Sequence, residues 1–316
     1  MSKILVTGGA GFIGSNLVNL LVEQDNNVIV FDNGFRNGLG NLEQIKEKIT
    51  IVEGNITLKE DWNRLPKDCD FVYHLAAING TKYFYEIPET VLKVNVQGVL
   101  NFVEWLEHTS TKQIFFASSP EVYGFPQKFP TPETEYITVP DPNNTRFSYS
   151  SSKIVGETII INFARQLGID FSIARIHNVY GPNDTFEHVI PEFIRKCVKK
   201  EPFTVQGDGK DSRCFCYISD AIEGILSITQ SSNVMNEIYN IGTDEETSIN
   251  QLIELLQSIH GKEFSTIYED FKNSGTKRRV PDITKICKLG YNPTISLQVG
   301  LKKTYDWYSK FYEDEK

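Results

Sequence analysis

Three sets of residues carry chemistry in this chain, and each stands where the local pattern changes. Tyr149 and Lys153 open a helix pattern four residues apart, so they share one helix face. A tyrosine with its ordinary pKa near 10 is a poor base at neutral pH. A nearby lysine ammonium and a positive nicotinamide ring would stabilise the phenolate and lower that value. The same lysine can hold the nicotinamide ribose. Ser119 ends the apolar run Ile114-Phe115-Phe116-Ala117-Ser118-Ser119, which puts a hydroxyl at the carboxyl end of a strand. Such a hydroxyl can bridge a substrate alcohol and the tyrosine oxygen. Ser119, Tyr149 and Lys153 then form a proton-and-hydride site. Tyr149 takes the proton of a substrate hydroxyl while a nicotinamide takes the hydride from the same carbon. Alone, a Tyr–Lys pair at this spacing is a common surface feature; Ser119 and the glycines near the chain start give it meaning.

Those glycines stand at 8, 11 and 14, between the short apolar strand Ile4–Thr7 and a helix pattern. Gly8 permits a tight turn, Gly11 lets backbone approach a phosphate, and Gly14 lets the helix pack against the strand. The helix N-terminus offers unpaired N–H groups and a partial positive charge to a diphosphate. Phe12 and Ile13, between the last two glycines, belong to the same contact. Val28–Phe31 reads as a second strand, and it ends at Asp32-Asn33. An acid there accepts hydrogen bonds from the adenosine ribose and repels a 2′-phosphate. The expected cofactor is therefore NAD rather than NADP.

These groups must be positioned by an alternating scaffold. Strand patterns at Ile49–Val52, Phe71–Leu75, Gln113–Ala117 and Phe171–Arg175 alternate with long helix patterns at Pro88–Leu106 and Tyr149–Leu167. That order predicts an α/β fold, a Rossmann-type doubly wound parallel sheet with helices on both faces. Beyond it, prolines and glycines come more often, and the helix patterns Val189–Lys199 and Asn250–His260 mix with short strands. The expected division is a cofactor domain over residues 1–172, also receiving part of 213–240, and a smaller C-terminal α/β substrate lobe over 173–316. Ligand should lie at the carboxyl ends of the sheet strands.

The composition excludes several classes. The 316 residues are 40% hydrophobic and 23% charged, ordinary for a globular protein with a real core. A net charge of −9 is a poor match to nucleic acid or an anionic membrane. Cys69, Cys197, Cys214, Cys216 and Cys287 form no CxxC pair, so neither a disulfide framework nor a metal site is expected. Met-Ser-Lys leads straight into a strand without a secretory leader pattern, and no apolar run approaches membrane-spanning length. A reducing cytoplasm fits these features.

The motifs Gly8-x-x-Gly11-x-x-Gly14, Asp32-Asn33, His74-Leu75-Ala76-Ala77, Ser118-Ser119-Pro120-Glu121-Val122-Tyr123-Gly124 and Tyr149-x-x-x-Lys153 occur in one order. Together with Arg175-Ile176-His177-Asn178-Val179-Tyr180-Gly181-Pro182, Gly207-Asp208-Gly209, Arg213 and Lys277-Arg278-Arg279-Val280-Pro281-Asp282, the set resembles an extended short-chain dehydrogenase/reductase. The matching group is the NAD-dependent nucleotide-sugar epimerase/dehydratase family. The resemblance covers nearly the whole chain. It implies further cofactor contacts at Leu75, Ala76, Ala77, Asn55 and Ile56, with Asn55 standing where the family usually has an Asp near adenine. It implies that Asn178, Arg213 and Arg279 meet the sugar nucleotide, its partner small molecule. Arginine forks suit phosphate oxygens. His74 reads as a packed strand-end residue rather than a base.

The implied chemistry begins with NAD-dependent oxidation at C4 of a nucleoside-diphosphate sugar, after which subgroups diverge. Glu121 matches a glutamate that acts at C5 in dehydratases and UDP-glucuronate decarboxylases. Pro120 replaces the acid that one dehydratase subgroup uses on its leaving hydroxyl. The expected roles are nucleotide-sugar dehydrogenase, epimerase or dehydratase in bacterial surface-polysaccharide synthesis, with a GDP-sugar suggested by the 177–182 segment. The alternatives are a decarboxylase-like or 4,6-dehydratase enzyme, and, in another class, a non-catalytic NAD- or nucleotide-sugar-binding protein. The resemblance also implies a homodimer or higher oligomer built on the helices Pro88–Leu106 and Tyr149–Leu167.

Overall fold

A computed structural model describes the chain except residues 37, 185–187, 232–235, 271–274 and 315–316. The chain divides into two units: 1–124, 136–176 and 225–239 form the first, and 125–135, 177–224 and 240–316 the second.

In the first unit, strands β1 (Lys3–Thr7), β2 (Asn27–Asp32), β3 (Thr50–Glu53), β4 (Phe71–His74), β5 (Gln113–Ser118) and β6 (Asp170–Ile176) lie in the order β6-β5-β4-β1-β2-β3. Their pairings are parallel throughout, with Leu5 opposite Ile29 on one side and Val72 on the other. A seventh strand, Glu237–Ile241, extends the sheet beyond β6. Strand order reverses between β1 and β4. In such sheets that is the point where the connections diverge to opposite faces and a ligand crevice opens. The connecting helices are α1 (Phe12–Glu23), α2 (Lys59–Trp62), α3 (Thr81–Glu86), α4 (Pro88–Leu106) and α5 (Ser148–Leu167).

The sequence expectations differ from these bounds by one or two residues at most ends, where terminal hydrogen bonds rather than apolar pattern decide the limit. α4 begins with Pro88 at its first helical position, where a missing N–H costs nothing. α5 ends at Gly168, whose φ of +66° makes the left-handed cap. An aromatic core of Phe31, Trp62, Phe102, Trp105 and Phe116 lies between the sheet and the helices. Gly156 brings α5 close to β5, because a Cβ there would stand 2.7 Å from the Phe116 ring.

The second unit carries the helices Val189–Lys199, Ile249–His260 and Leu297–Asp314 with small sheets of two or three short strands. Helix Ile249–His260 opens with a capping box between Ser248 and Gln251, which satisfies backbone donors at both residues. No described helix is long and apolar enough to cross a membrane.

His74 is part of the core. Its ring stacks on Phe102 at 4.7 Å between centroids, and its Nδ1 lies 2.9 Å from Thr7 Oγ1. Burial, with a smaller push from Lys153, drives its pKa down from 6.5 to about 3. The unfolded chain therefore binds a proton between pH 6.5 and 3 that the folded chain refuses, so stability is lost as pH falls through this window. In urea titrations at pH 7 and 4.5, His74→Gln should lose less stability between the two than the parent, by roughly 2–3 kcal/mol. Equal losses would show that His74 does not drive the acid sensitivity.

Candidate active site

The glycine turn after β1 is a close-packed cradle. Gly8 has φ +72°, and a Cβ there would lie 2.7 Å from the Ala76 backbone nitrogen. A Cβ on Gly14 would lie 2.1 Å from the Gly8 carbonyl oxygen. Gly11 caps α1 with no side-chain hydrogen bond, so the first-turn N–H groups, including those of Phe12 and Ile13, are left for a ligand anion. Asp32, at the end of β2, accepts from Ala10 N at 2.9 Å and Gly34 N at 2.8 Å, which fixes the carboxylate beside the turn. Asn33 comes next and accepts from Phe35 N at 3.1 Å. This donor-lined cradle next to an anchored acid fits a dinucleotide diphosphate and its adenosine ribose.

Leu75, Ala76 and Ala77 continue β4 on the same edge, and Thr7 ties them to β1 through Leu75 N and Ala76 N. Asn55 spends its side-chain oxygen locally, accepting from both the N–H and the hydroxyl of Thr57 at 3.0 Å. Ile56 packs in the core, and its carbonyl accepts from Trp62 Nε1 at 2.8 Å and Asn101 Nδ2 at 2.9 Å. Both are thus held by bonds that shape the β3–α2 turn.

At the end of β5, Ser119 caps a short 3-10 turn, Pro120–Tyr123, by accepting from Glu121 N at 3.3 Å. The Tyr149 phenol is the nearby group on which the Ser119 hydroxyl acts, countering part of the effect of burial. Tyr149 stacks on Phe84 of α3 with ring centroids 5.0 Å apart, which fixes the ring plane. Lys153, one turn along α5, donates from Nζ to Ala117 O at 2.7 Å. The structure thus brings Ser119, Glu121, Tyr149 and Lys153 to one place at the carboxyl end of the sheet.

The electrostatics add a feature that the sequence does not show. Burial raises the Tyr149 pKa well above 10; the Ser119 hydroxyl opposes this, Glu121 adds to it, and Arg36 opposes it. Arg36 in the β2–β3 connection adds a cation that favours the phenolate, and the Lys153 ammonium lies 5.6 Å from the Tyr149 ring centroid while donating to the Ala117 carbonyl. Lys153 itself is pushed down to about 8 by burial, with Glu157 opposing the fall. Arg36 was missed because it lies in a loop without periodicity. Arg146, also missed, stands three residues before Tyr149 and pairs with Glu121 at 3.5 Å, both side chains largely buried. Its spacing to Tyr149 was the one available signal.

In the second unit, Asn178 has φ +29° and donates to Cys214 O at 3.2 Å. Arg213 donates to the carbonyls of Ser212 and Lys277 at 2.7 and 3.0 Å. Strands Ser212–Cys214 and Arg278–Arg279 run parallel, and their register sets Arg279 directly opposite Arg213. Two like charges side by side repel, and an anion shared between them relieves that cost.

Comparison with known proteins shows the family. Residues 4–242 match the model of the NAD dependent epimerase/dehydratase family. The chain belongs to this family, whose members modify nucleotide sugars, and its cofactor is NAD. It is 32% identical over 322 residues to a UDP-N-acetyl-alpha-D-glucosaminuronate decarboxylase of Bacillus cytotoxicus, covering 99% of both chains. It is 36% identical over 309 residues to a putative UDP-glucose 4-epimerase of Methanocaldococcus jannaschii, covering 96% of this chain and 97% of that protein. Among solved structures, it is similar to UDP-glucuronic acid 4-epimerase from Bacillus cereus in complex with UDP-glucuronic acid and NAD. That match has a TM-score of 0.88 and 28% identity, covering 98% of this chain and 100% of the other.

The cradle makes a direct prediction. Gly14→Ala overpacks the turn by an amount that typically costs about 1–3 kcal/mol. NAD titration should show a dissociation constant raised roughly tenfold or more. An unchanged constant would mean that the close approach at Gly14 is dispensable.

Proposed function

We infer that this enzyme oxidises C4 of a UDP-sugar through Ser119, Tyr149 and Lys153. The observation that carries the reading is the convergence of Tyr149 and Lys153 on the strand end that bears Ser119: Lys153 Nζ lies 5.6 Å from the Tyr149 ring centroid and donates to Ala117 O at 2.7 Å. When bound, NAD accepts the hydride and its positive ring favours the phenolate. Ser119 orients the substrate hydroxyl, Tyr149 takes its proton, and Lys153 holds the nicotinamide ribose. Asn178, Arg213 and Arg279 grip the diphosphate. The named relatives act on UDP-sugars, which favours uridine over the guanosine suggested by residues 177–182.

A second reading concerns the fate of the 4-keto sugar. Two of these relatives, from Bacillus cytotoxicus and Bacillus cereus, act on uronic acid nucleotides. Glu121 and Arg146 form an ion pair beside Ser119, which adds a cation to this end of the site. A UDP-uronic acid is therefore the substrate to try first, with decarboxylation or epimerisation as the outcome. A cellular role in surface-polysaccharide synthesis and a dimer through α4 and α5 belong to the same reading. Leu92 and Val155 leave apolar surface exposed on those two helices.

The test is product mass after incubation with UDP-glucuronic acid, UDP-glucose and GDP-mannose in heavy water. Loss of carbon dioxide, of water, or of two hydrogens identifies a decarboxylase, a dehydratase or a dehydrogenase. Deuterium uptake at carbon with unchanged composition identifies epimerisation beside the ketone, and NMR detects direct C4 inversion. Tyr149→Phe should lower kcat by roughly 10²–10⁴-fold with NAD still bound. Full activity in that variant would refute the assignment. Turnover of the GDP-sugar alone would overturn the uridine preference.

A further inference from the structure

Behind the catalytic set lies a buried ion pair that the mechanism above does not use. Glu157, on α5, is paired with Arg175, on β6, and both side chains are 3% exposed. Arg175 Nε and Nη2 reach Glu157 Oε1 and Oε2 at 3.0 and 2.7 Å, a two-pronged fork. Ser118 Oγ donates to the same Oε1 at 2.5 Å. The guanidinium also covers the Tyr123 ring, 4.7 Å from its centroid. One carboxylate thus ties together α5, the end of β5, β6 and the turn after β5.

This arrangement is expensive as plain scaffolding. A buried ion pair loses much of its Coulomb energy to desolvation, and packed apolar residues often serve equally well. Its placement suggests another use. Glu157 is four residues beyond Lys153, on the same face of α5. Ser118 is the residue immediately before Ser119.

We propose that Glu157 is a positioning residue of the active site: through Ser118 it sets the strand end that bears Ser119, and it supplies the negative charge that keeps the Lys153 ammonium in its buried place. Arg175 holds the carboxylate in position for both tasks. The titratable groups that interact with Lys153 are Glu157 and Tyr149 on α5 and His74 on β4, while the charged residues of α4, Glu89, Lys93 and Glu104, are exposed. Of these, Glu157 is the one that supports the lysine's charge against burial. His74 is neutral above about pH 3.

The proposal rests on Lys153 as the lysine that holds bound NAD, and its test needs no sugar. NAD affinity is monitored by quenching of intrinsic fluorescence from about pH 6.5 to 9.5, a range that brackets the Lys153 pKa. With Lys153 near 8, wild-type affinity weakens above pH 8 as the ammonium is lost. Without Glu157 the ammonium is lost earlier, so in Glu157→Gln the weakening moves about one pH unit toward acid. Superimposable curves, or an equal loss at every pH, would overturn the proposal, since a merely structural role lowers affinity without displacing the curve. Glu157→Gln leaves a guanidinium unpaired and can fail to fold, so the double variant Glu157→Gln/Arg175→Met is measured beside it. It removes both charges, should melt cooperatively, and should keep the acid displacement; a wild-type curve in that protein overturns the proposal. Lys153→Met separates the two readings. NAD affinity that no longer weakens across the alkaline half of the titration supports the role of Lys153. Wild-type pH dependence there would refute that role, and the proposal would fall with it.

Discussion

The close approach of α5 to β5 is the constraint on which the site depends. It is possible because Gly156 faces the Phe116 ring, where a Cβ would stand 2.7 Å away. At that spacing Lys153 reaches the Ala117 carbonyl and Glu157 reaches the Ser118 hydroxyl. Both bonds run from one helix face to one strand end, on either side of the glycine in the helix register. Tyr149, a turn earlier, then falls beside Ser119. A larger residue at 156 would push the helix outward and stretch every one of these bonds. The geometry of the candidate site thus comes from packing, and the polar bonds lock what the packing allows.

A second layer of order comes from burial. The phenol, the ammonium and the imidazole of His74 all sit in low-dielectric surroundings, and burial moves each toward its neutral form. For His74 this is structural, since a neutral ring stacks between aromatic neighbours. For Tyr149 and Lys153 it bears on the proposed chemistry. A phenol raised by burial has little tendency to ionise until positive charge arrives, and a lysine near 8 stands close to the pH at which enzymes work. The site is therefore tuned by a few placed charges, in a chain whose net charge is −9.

The second unit obeys a different logic. Its sheets are short, and its candidate ligand groups are held by backbone carbonyls rather than by a strand end. Arg213 is anchored by Ser212 and Lys277, while the parallel register sets Arg279 opposite it. Nothing in the spacing of 213 and 279 predicts that neighbourhood, because the two positions lie far apart in the chain, on strands of only three and two residues. Only the resemblance of motifs pointed to both arginines.

The parallel sheet, the glycine turn, the acid after the second strand and the Tyr–Lys face of a long helix were all legible in the sequence. These are local properties: apolar period, helix spacing, and the backbone freedom of particular glycines. The bounds of α4 and of Val189–Lys199 were legible too, because Pro88 and strong amphipathic patterns mark them. Folding decided everything that depends on distant segments meeting. Arg36 acts on Tyr149 from far away in the chain, Arg146 pairs with Glu121, and Glu157 bonds Ser118 and Arg175. A charge in a sequence has no partner until the chain is folded. Its influence then falls off with distance and with solvent, both of which are properties of the packed molecule.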